Sequence, residues 1–174
     1  MNPPSNSGPV PLVGVVIPCF NQGGFAGESV ASLHAQTYPA WRAVLLDDAS
    51  TDGHSPAQCR ALASARVEVV CLDANQGRAS IRNTGVRKLG AVDYVLMLDC
   101  DDKLSPTYLE LLVQALERDP AAGVAYGTLH EFGTVDGRAA QGTWPNREWC
   151  PELMYLDNAI PGPGAMFRMA ALNQ

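Results

Sequence analysis

Three short polar clusters in this 174-residue chain carry residue types that could do chemistry: Pro18-Cys19-Phe20-Asn21, Asp47-Asp48-Ala49-Ser50-Thr51-Asp52 and Asp99-Cys100-Asp101-Asp102. If they converge on one crevice, five or six carboxylates come together there. Like charges at that range raise one another's pKa and repel, so a cation or a hydrogen-bonding ligand is the natural resolution. Oxygen-only donors suit Mg²⁺ or Mn²⁺, which bridge carboxylates to phosphate oxygens. The plainer reading is that each acid caps the helix after it. That fits Asp52 or Ser50, but it fits Asp99 to Asp102 poorly, because Ser105 already stands at the cap position there.

Each cluster follows an apolar run short enough to be a strand. Leu12 to Ile17, Arg42 to Leu46, Val67 to Leu72 and Tyr94 to Leu98 read as buried strands, with a fifth over Val124 to Thr128 and a last over Ala165 to Met169. Helical spacing covers Phe25 to Gln36, Ser55 to about Ala65, Gly77 to Leu89 and Ser105 to Arg118. Ser55-Pro56 and Ser105-Pro106 both supply a cap residue followed by proline. From Glu131 to Trp149 the chain is glycine-rich and irregular, with Asp136-Gly137 as a hairpin turn; Pro151 to Leu156 is expected to hold a short helix. This alternation implies an α/β fold: a mostly parallel central sheet with helices on both faces, in which ligands collect beyond the carboxyl ends of the strands.

Composition removes other classes. A net charge of -6 and a pI near 4.9 make nucleic acid a poor partner, and an acidic protein that binds an anionic nucleotide must neutralise it locally. The five cysteines are widely spaced without a C-x-x-C pair, which supports neither structural zinc nor a thioredoxin-type site; they read as reduced thiols, several in the core. No run reaches the roughly 18 to 20 apolar residues of a membrane span. The first eleven residues read as a flexible tail, leaving residues 12–174 as one domain.

The clusters also resemble a known family. Val15 to Asn21 looks like the opening strand of family 2 glycosyltransferases of GT-A fold, and Gln36-Thr37-Tyr38 resembles the end of their first helix. Asp47 to Asp52 matches their second strand end, while Asn75-Gln76-Gly77-Arg78 with Arg82-Asn83-Thr84-Gly85 resembles their third segment. Leu98 to Asp102 matches their DxD signature. A lone DxD is common by chance, but five motifs in order from Val13 to about Tyr126 are not.

The resemblance implies a GT-A, Rossmann-like sandwich and a set of roles. Pro18, Phe20, Asn21, Asp48, Asn75, Gly77, Arg82 and Asp99 would bind the nucleotide. Phe20 would stack on the base, Asp48 would accept from a uracil-type imide N–H, and Asp99 would face the ribose or the metal shell. Asp101 and Asp102 would hold Mn²⁺ or Mg²⁺ against the diphosphate, with Arg82 or Arg78 at the phosphates. Phe20 could equally be core, Arg82 a solvated helix residue, and Gly85 a packing residue. His34 reads as structural.

The implied reaction is inverting sugar transfer from a nucleotide-diphospho-sugar, by family habit a UDP-sugar. The acceptor, whether glycan, lipid-linked or protein, is unidentified. The expected setting is cell envelope polysaccharide synthesis by a cytoplasmic protein, peripheral at the inner membrane face. Inversion needs a carboxylate base. In the family it follows the segment resembled by Pro161 to Arg168, so it is expected beyond Gln174 in a C-terminally incomplete domain. The alternative is a nucleotide-sugar-binding module without transfer activity. A dinucleotide oxidoreductase would need G-x-G-x-x-G after the first strand, where Gly23-Gly24-Phe25-Ala26-Gly27 lacks the spacing. A phosphohydrolase or receiver domain would need acids on the first strand, which has none. Trp144 and Trp149 are either a sugar-stacking platform or core.

Overall fold

A computed structural model describes residues 9–135, 138–140, 142–144, 160 and 164–172. The tail before residue 9, the expected Pro151 to Leu156 helix, Trp149 and the Asp136-Gly137 turn lie outside these residues. The elements alternate as β1 (Val13–Cys19), α1 (Gly23–His34), β2 (Trp41–Asp47), α2 (Ser55–Arg60), β3 (Val67–Cys71), α3 (Arg78–Leu89), β4 (Tyr94–Met97) and α4 (Tyr108–Arg118). Short strands follow: β5 (Val124–Ala125), β6 (Leu129–His130), β7 (Thr134–Val135), β8 (Arg138–Ala139), β9 (Thr143–Trp144) and β10 (Met166–Arg168), then α5 (Met169–Leu172).

The central sheet has six strands in the order β3-β2-β1-β4-β10-β5. The strands β3, β2, β1 and β4 are parallel, while β10 runs antiparallel between β4 and β5. The mostly parallel sheet is therefore observed, with one reversed strand inserted near its edge. Two antiparallel ribbons, β6 with β9 and β7 with β8, occupy the stretch expected to be irregular. Those strands are two residues long, and the glycines around them mask a strand pattern.

Both faces of the sheet are covered, because alternate side chains of each strand point to opposite sides. On one face Val13, Val15, Ile17, Ala43, Leu45 and Leu96 pack with Val30 and Leu33 of α1, Cys59 of α2, and Leu109, Leu112 and Leu116 of α4. On the other, Val16, Val44, Leu46 and Val95 meet Ile81 and Leu89 of α3. α2 stops at Arg60 and α4 starts only at Tyr108, so both are several residues shorter than their sequence patterns. Ser105 does not cap α4: the helix starts at Tyr108 after Thr107, and Ser105 forms the turn before it through its carbonyl to the Tyr108 N–H. The capping proline signal there opens a turn, so the argument that Ser105 had displaced the aspartates from a capping role does not hold.

Gly85 is where α3 comes closest to the sheet. A Cβ there would lie 2.3 Å from Cγ1 of Val16 and 3.1 Å from Cδ1 of Leu46. Packed cores absorb such overlap only by shifting side chains and backbone, at about 1–3 kcal/mol. Gly85→Ala is therefore expected to destabilise the chain by about 2 kcal/mol in urea unfolding, with an unchanged dependence of ΔG on denaturant. A variant as stable as the parent would show that α3 is free to move off the sheet.

Candidate functional site

Beyond the carboxyl ends of β1, β2 and β4 lies an open cleft of about 580 Å³, lined by residues from all three predicted clusters and from the start of α3. Its walls include Pro18, Cys19, Phe20 and Gln22 after β1, Asp48 after β2, Asn75 and Gly77 before α3, Arg78, Ile81 and Arg82 on α3, and Asp99 and Asp101 after β4. Parallel strands fed by crossovers from both faces leave such a crevice where the connections diverge. Eight of the ten predicted binding residues thus share one cavity.

The other two sit beside it. Asn21, at φ 55°, turns its side chain to the second cluster: Oδ1 accepts from the Thr51 N–H (2.8 Å) and the Asp52 N–H (3.2 Å). Its own N–H donates to Oγ of Ser50 (2.8 Å), so Asn21 clasps the loop that presents Asp48. Asparagine tolerates this left-handed backbone better than most residues. Asp102 is half-buried, and its N–H donates to the Asp99 carbonyl (3.0 Å). Burial, then the charges of Asp101 and Asp99, push its pKa up to about 6. A cation would offset the part of that shift that comes from the neighbouring charges.

Asp48 is held through both of its carboxylate oxygens. It is 3% exposed, and its two oxygens each accept a backbone N–H, from Gln76 (2.7 Å) and Gly77 (3.0 Å). Asn75 completes the bracket by donating from Nδ2 to the Asp48 carbonyl (3.0 Å). Gly77 has φ 79°, a conformation that costs a residue with a Cβ, and it ends the loop just before α3 begins. Each Asp48 oxygen retains a lone pair for a further donor.

Asp47, one residue earlier, is buried and points to the opposite face, where it holds Ser50. Asp52 accepts the Ser55 N–H (2.9 Å) and hydroxyl, which hold its pKa below the usual carboxylate range. These two acids have local structural work; Asp52 ties the turn ahead of α2, whose N-cap position falls to His54 and not to Asp52.

In the third cluster, Asp99 is paired with Arg82, whose Nη1 also donates to the Arg78 carbonyl (2.9 Å). Arg82 is therefore no solvated helix residue. Arg78 lines the same cleft and has no carboxylate partner among the described residues, which leaves its charge available to an anion. Asp101 is exposed at the rim, held by Nε2 of Gln22 (2.8 Å). Gln22 was not foreseen. The only sequence signal for it is its place directly after the first cluster, since a lone glutamine has no distinctive spacing. Beneath it the Cys100 thiol donates to Oε1 of Gln22 (3.6 Å) and also meets Cys19. The Cys59 thiol donates to the Cys19 sulfur (3.7 Å); the neighbouring Cys100 and Cys59 thiols lower the Cys19 pKa, and their interaction with Cys19, with burial, raises their own.

The aromatic candidates separate. Phe20 is 44% exposed at the cleft and not core. Trp144 is 56% exposed, and its indole N–H donates to Glu131 (3.0 Å), so it too is a surface group. His34 packs edge-on against Trp41 with ring centroids 5.3 Å apart, a structural contact.

What the arrangement offers is a pocket for a phosphorylated ligand: a flat apolar face at Phe20, a buried acceptor at Asp48, cations at Arg78 and Arg82, and a rim of carboxylates at Asp99 and Asp101. A sequence model described as glycosyl transferase family 2 matches residues 14–173. The putative teichuronic acid biosynthesis glycosyltransferase TuaG of Bacillus subtilis (strain 168) is 33% identical over 127 residues, covering 71% of this chain and 50% of TuaG. The succinoglycan biosynthesis protein ExoO of Rhizobium meliloti (strain 1021) is 33% identical over 143 residues, 80% of this chain and 38% of ExoO.

Among solved structures, the mannosyltransferase PcManGT from Pyrobaculum calidifontis in complex with GDP-Man and Mn²⁺ has a TM-score of 0.70. It is 23% identical, with 94% of this chain and 46% of that one covered. S. aureus TarS 1-349 in complex with UDP-GlcNAc has a TM-score of 0.67, also at 23% identity, over 93% of this chain and 46% of that one. The shared architecture is the GT-A fold. The chain spans half the length or less of each of these proteins.

Proposed function

This chain belongs to glycosyl transferase family 2, and from that premise we propose that its cleft binds a nucleotide-diphospho-sugar with a divalent cation for transfer of the sugar to an acceptor hydroxyl. The observation that carries the reading is the meeting of Asp48, Asp99 and Asp101, from two different strand ends, with Arg78 and Arg82 in one cavity.

In this reading the base stacks on Phe20, and a spare lone pair of Asp48 accepts its imide N–H, which favours uracil. Arg78 and Arg82 face the diphosphate, with Arg82 kept in place by Asp99. Asp101, assisted by Asp102, holds Mn²⁺ or Mg²⁺. The donor set fits such an ion: carboxylate oxygens only, with Asp102 raised in pKa first by burial and then by the charges of Asp101 and Asp99. When bound, the ion stabilises charge on the departing nucleoside diphosphate. Gln22 orients the Asp101 carboxylate through its 2.8 Å bond.

We assign the transfer an inverting course and a hexosyl or N-acetylhexosaminyl donor. The names of TuaG and ExoO suggest an envelope polysaccharide as product. A glycan, lipid-linked or protein acceptor fits equally. No helix among the described residues is long and apolar enough to cross a membrane; we propose a cytoplasmic location, with peripheral contact at the inner membrane face. The unit is read as one nucleotide-sugar-binding domain over residues 12–174. Among the described residues, the carboxylates lining the cleft are Asp48, Asp99 and Asp101, each used here for donor or metal. The general base is accordingly assigned outside the described residues. The same observation supports a second reading, a donor-binding module whose transfer activity needs further protein.

Calorimetric titration with UDP, with and without Mn²⁺, tests the proposal. Affinity is expected to rise by a factor on the order of ten or more when the ion is present, a gain of about 1.4 kcal/mol. Equal affinity with and without metal would remove the metal from the reading.

A further inference from the structure

Four cysteines among the described residues gather beneath the floor of the cleft. Cys19 ends β1, and its register partner on β2 is Asp47, whose partner on β3 is Cys71. Cys100 lies just past β4 on the other side of Cys19, and Cys59 approaches from α2. Cys19 and Cys59, forty residues apart in sequence, bring their sulfurs to 3.7 Å. Cys19 alone of these thiols lines the cleft.

Two chemistries could use such a pair. Cys19, Asp47 and Cys59 place potential ligand atoms within 4.8 Å of one another. Structural zinc, however, takes four ligands, and the Asp47 carboxylate is already engaged by the Ser50 hydroxyl and N–H. Thiol oxidation needs only the two sulfurs. A disulfide has an S–S distance of about 2.05 Å, so closure requires an approach of about 1.7 Å. Cys59 can supply part of it, because α2 is a helix of only six residues.

We propose that Cys19 and Cys59 are a modification site, a dithiol that a hydroperoxide converts to a disulfide and that thereby switches the cleft to a state of low donor affinity. This rests on the donor-binding reading above. The Cys19 sulfur attacks one peroxide oxygen, the O–O bond breaks, and water leaves with the Cys19 thiol proton, giving a sulfenic acid. The Cys59 sulfur then attacks the Cys19 sulfur, forms the S–S bond and expels the hydroxyl as a second water with its own proton. Two thiols and one hydrogen peroxide thus yield one disulfide and two waters, and a dithiol reductant reverses the change.

The coupling to the ligand is geometric. Cys19 sits between Pro18 and Phe20, both of which line the cleft. Cys19 also belongs to the same core cluster as Cys100, which donates to Gln22, which in turn holds Asp101. Drawing Cys19 towards α2 moves the end of β1 and breaks the first link of that chain. A bound donor covers Cys19 and slows its oxidation.

The test treats the reduced chain with hydrogen peroxide, with and without UDP and Mg²⁺, and maps thiols and cross-links by mass spectrometry of the digested protein. The expected result is a Cys19–Cys59 cross-link that UDP with Mg²⁺ suppresses. The oxidised chain should bind UDP about tenfold more weakly and recover on reduction. Cys59→Ala should bind UDP like the parent and lose the peroxide response. Both thiols staying free, a Cys19–Cys100 cross-link in place of the expected one, or unchanged UDP affinity after cross-linking would each overturn the proposal. Because cross-link mapping does not depend on UDP, a reduced chain that fails to bind UDP would overturn the donor reading separately.

Discussion

Asp101→Ala is expected to abolish the metal-dependent part of UDP binding, a loss of about a hundredfold or more, equivalent to about 2.7 kcal/mol. Asp101 stands exposed at the cleft rim, and its only described hydrogen bond comes from Nε2 of Gln22. Its removal therefore leaves no buried donor unpaired, and stability should stay within about 0.5 kcal/mol of the parent. Deleting the best-placed oxygen donor leaves Asp102, half-buried with its pKa raised to about 6, and Asp99, whose charge is shared with Arg82. Neither makes good the missing ligand. Calorimetry with Mn²⁺ and UDP reads the effect, and thermal unfolding of the same sample shows that the variant is folded. Undiminished Mn²⁺ dependence would move the metal away from Asp101.

The second large effect is expected at Asp48, where structure and binding are lost together. Asp48→Ala orphans the N–H groups of Gln76 and Gly77, which now donate at 2.7 and 3.0 Å. A half-buried donor without a partner costs about 1–3 kcal/mol, so the two together should destabilise the chain by about 3 kcal/mol. Asp48→Asn retains one acceptor oxygen and should cost about half as much. Both changes should lower UDP affinity beyond what the stability loss explains, because Gly77 and Arg78 enter the cleft from the loop that Asp48 holds. Urea unfolding separates the two contributions. A fully stable Asp48→Ala would show that the loop is held by Asn75 and the α3 packing instead.

These predictions draw unequally on sequence and structure. The alternation of apolar runs with helical spacing was enough for the mostly parallel sheet with helices on both faces, because strand and helix periodicities are local. It missed the antiparallel insertion of β10 between β4 and β5, since pairing direction depends on where a distant segment returns. It placed Ser105 as a cap, whereas the turn before α4 ends two residues later, at Thr107. A cap residue and a turn residue have the same composition, and only the backbone path separates them.

The site divides along the same line. Residue types and spacing marked acid clusters at the ends of β2 and β4 that would meet if the strands ran parallel, and the family resemblance added Phe20 and the arginines; β1, lying between β2 and β4, is what brings the two ends to one crevice. Tertiary structure decided which of them face it. Asp47 and Asp48 are adjacent, but the pleat sends them to opposite faces, one to Ser50 and one to the α3 loop. Asn21 clasps a loop, Gln22 holds Asp101, and Arg82 is tied to Asp99. The absence of a C-x-x-C pair made the cysteines look unrelated, yet folding brings Cys19 and Cys59 to 3.7 Å. Periodicity and strand order are carried by near neighbours along the chain, whereas side-chain partners across forty residues exist only once the sheet and its helices have packed.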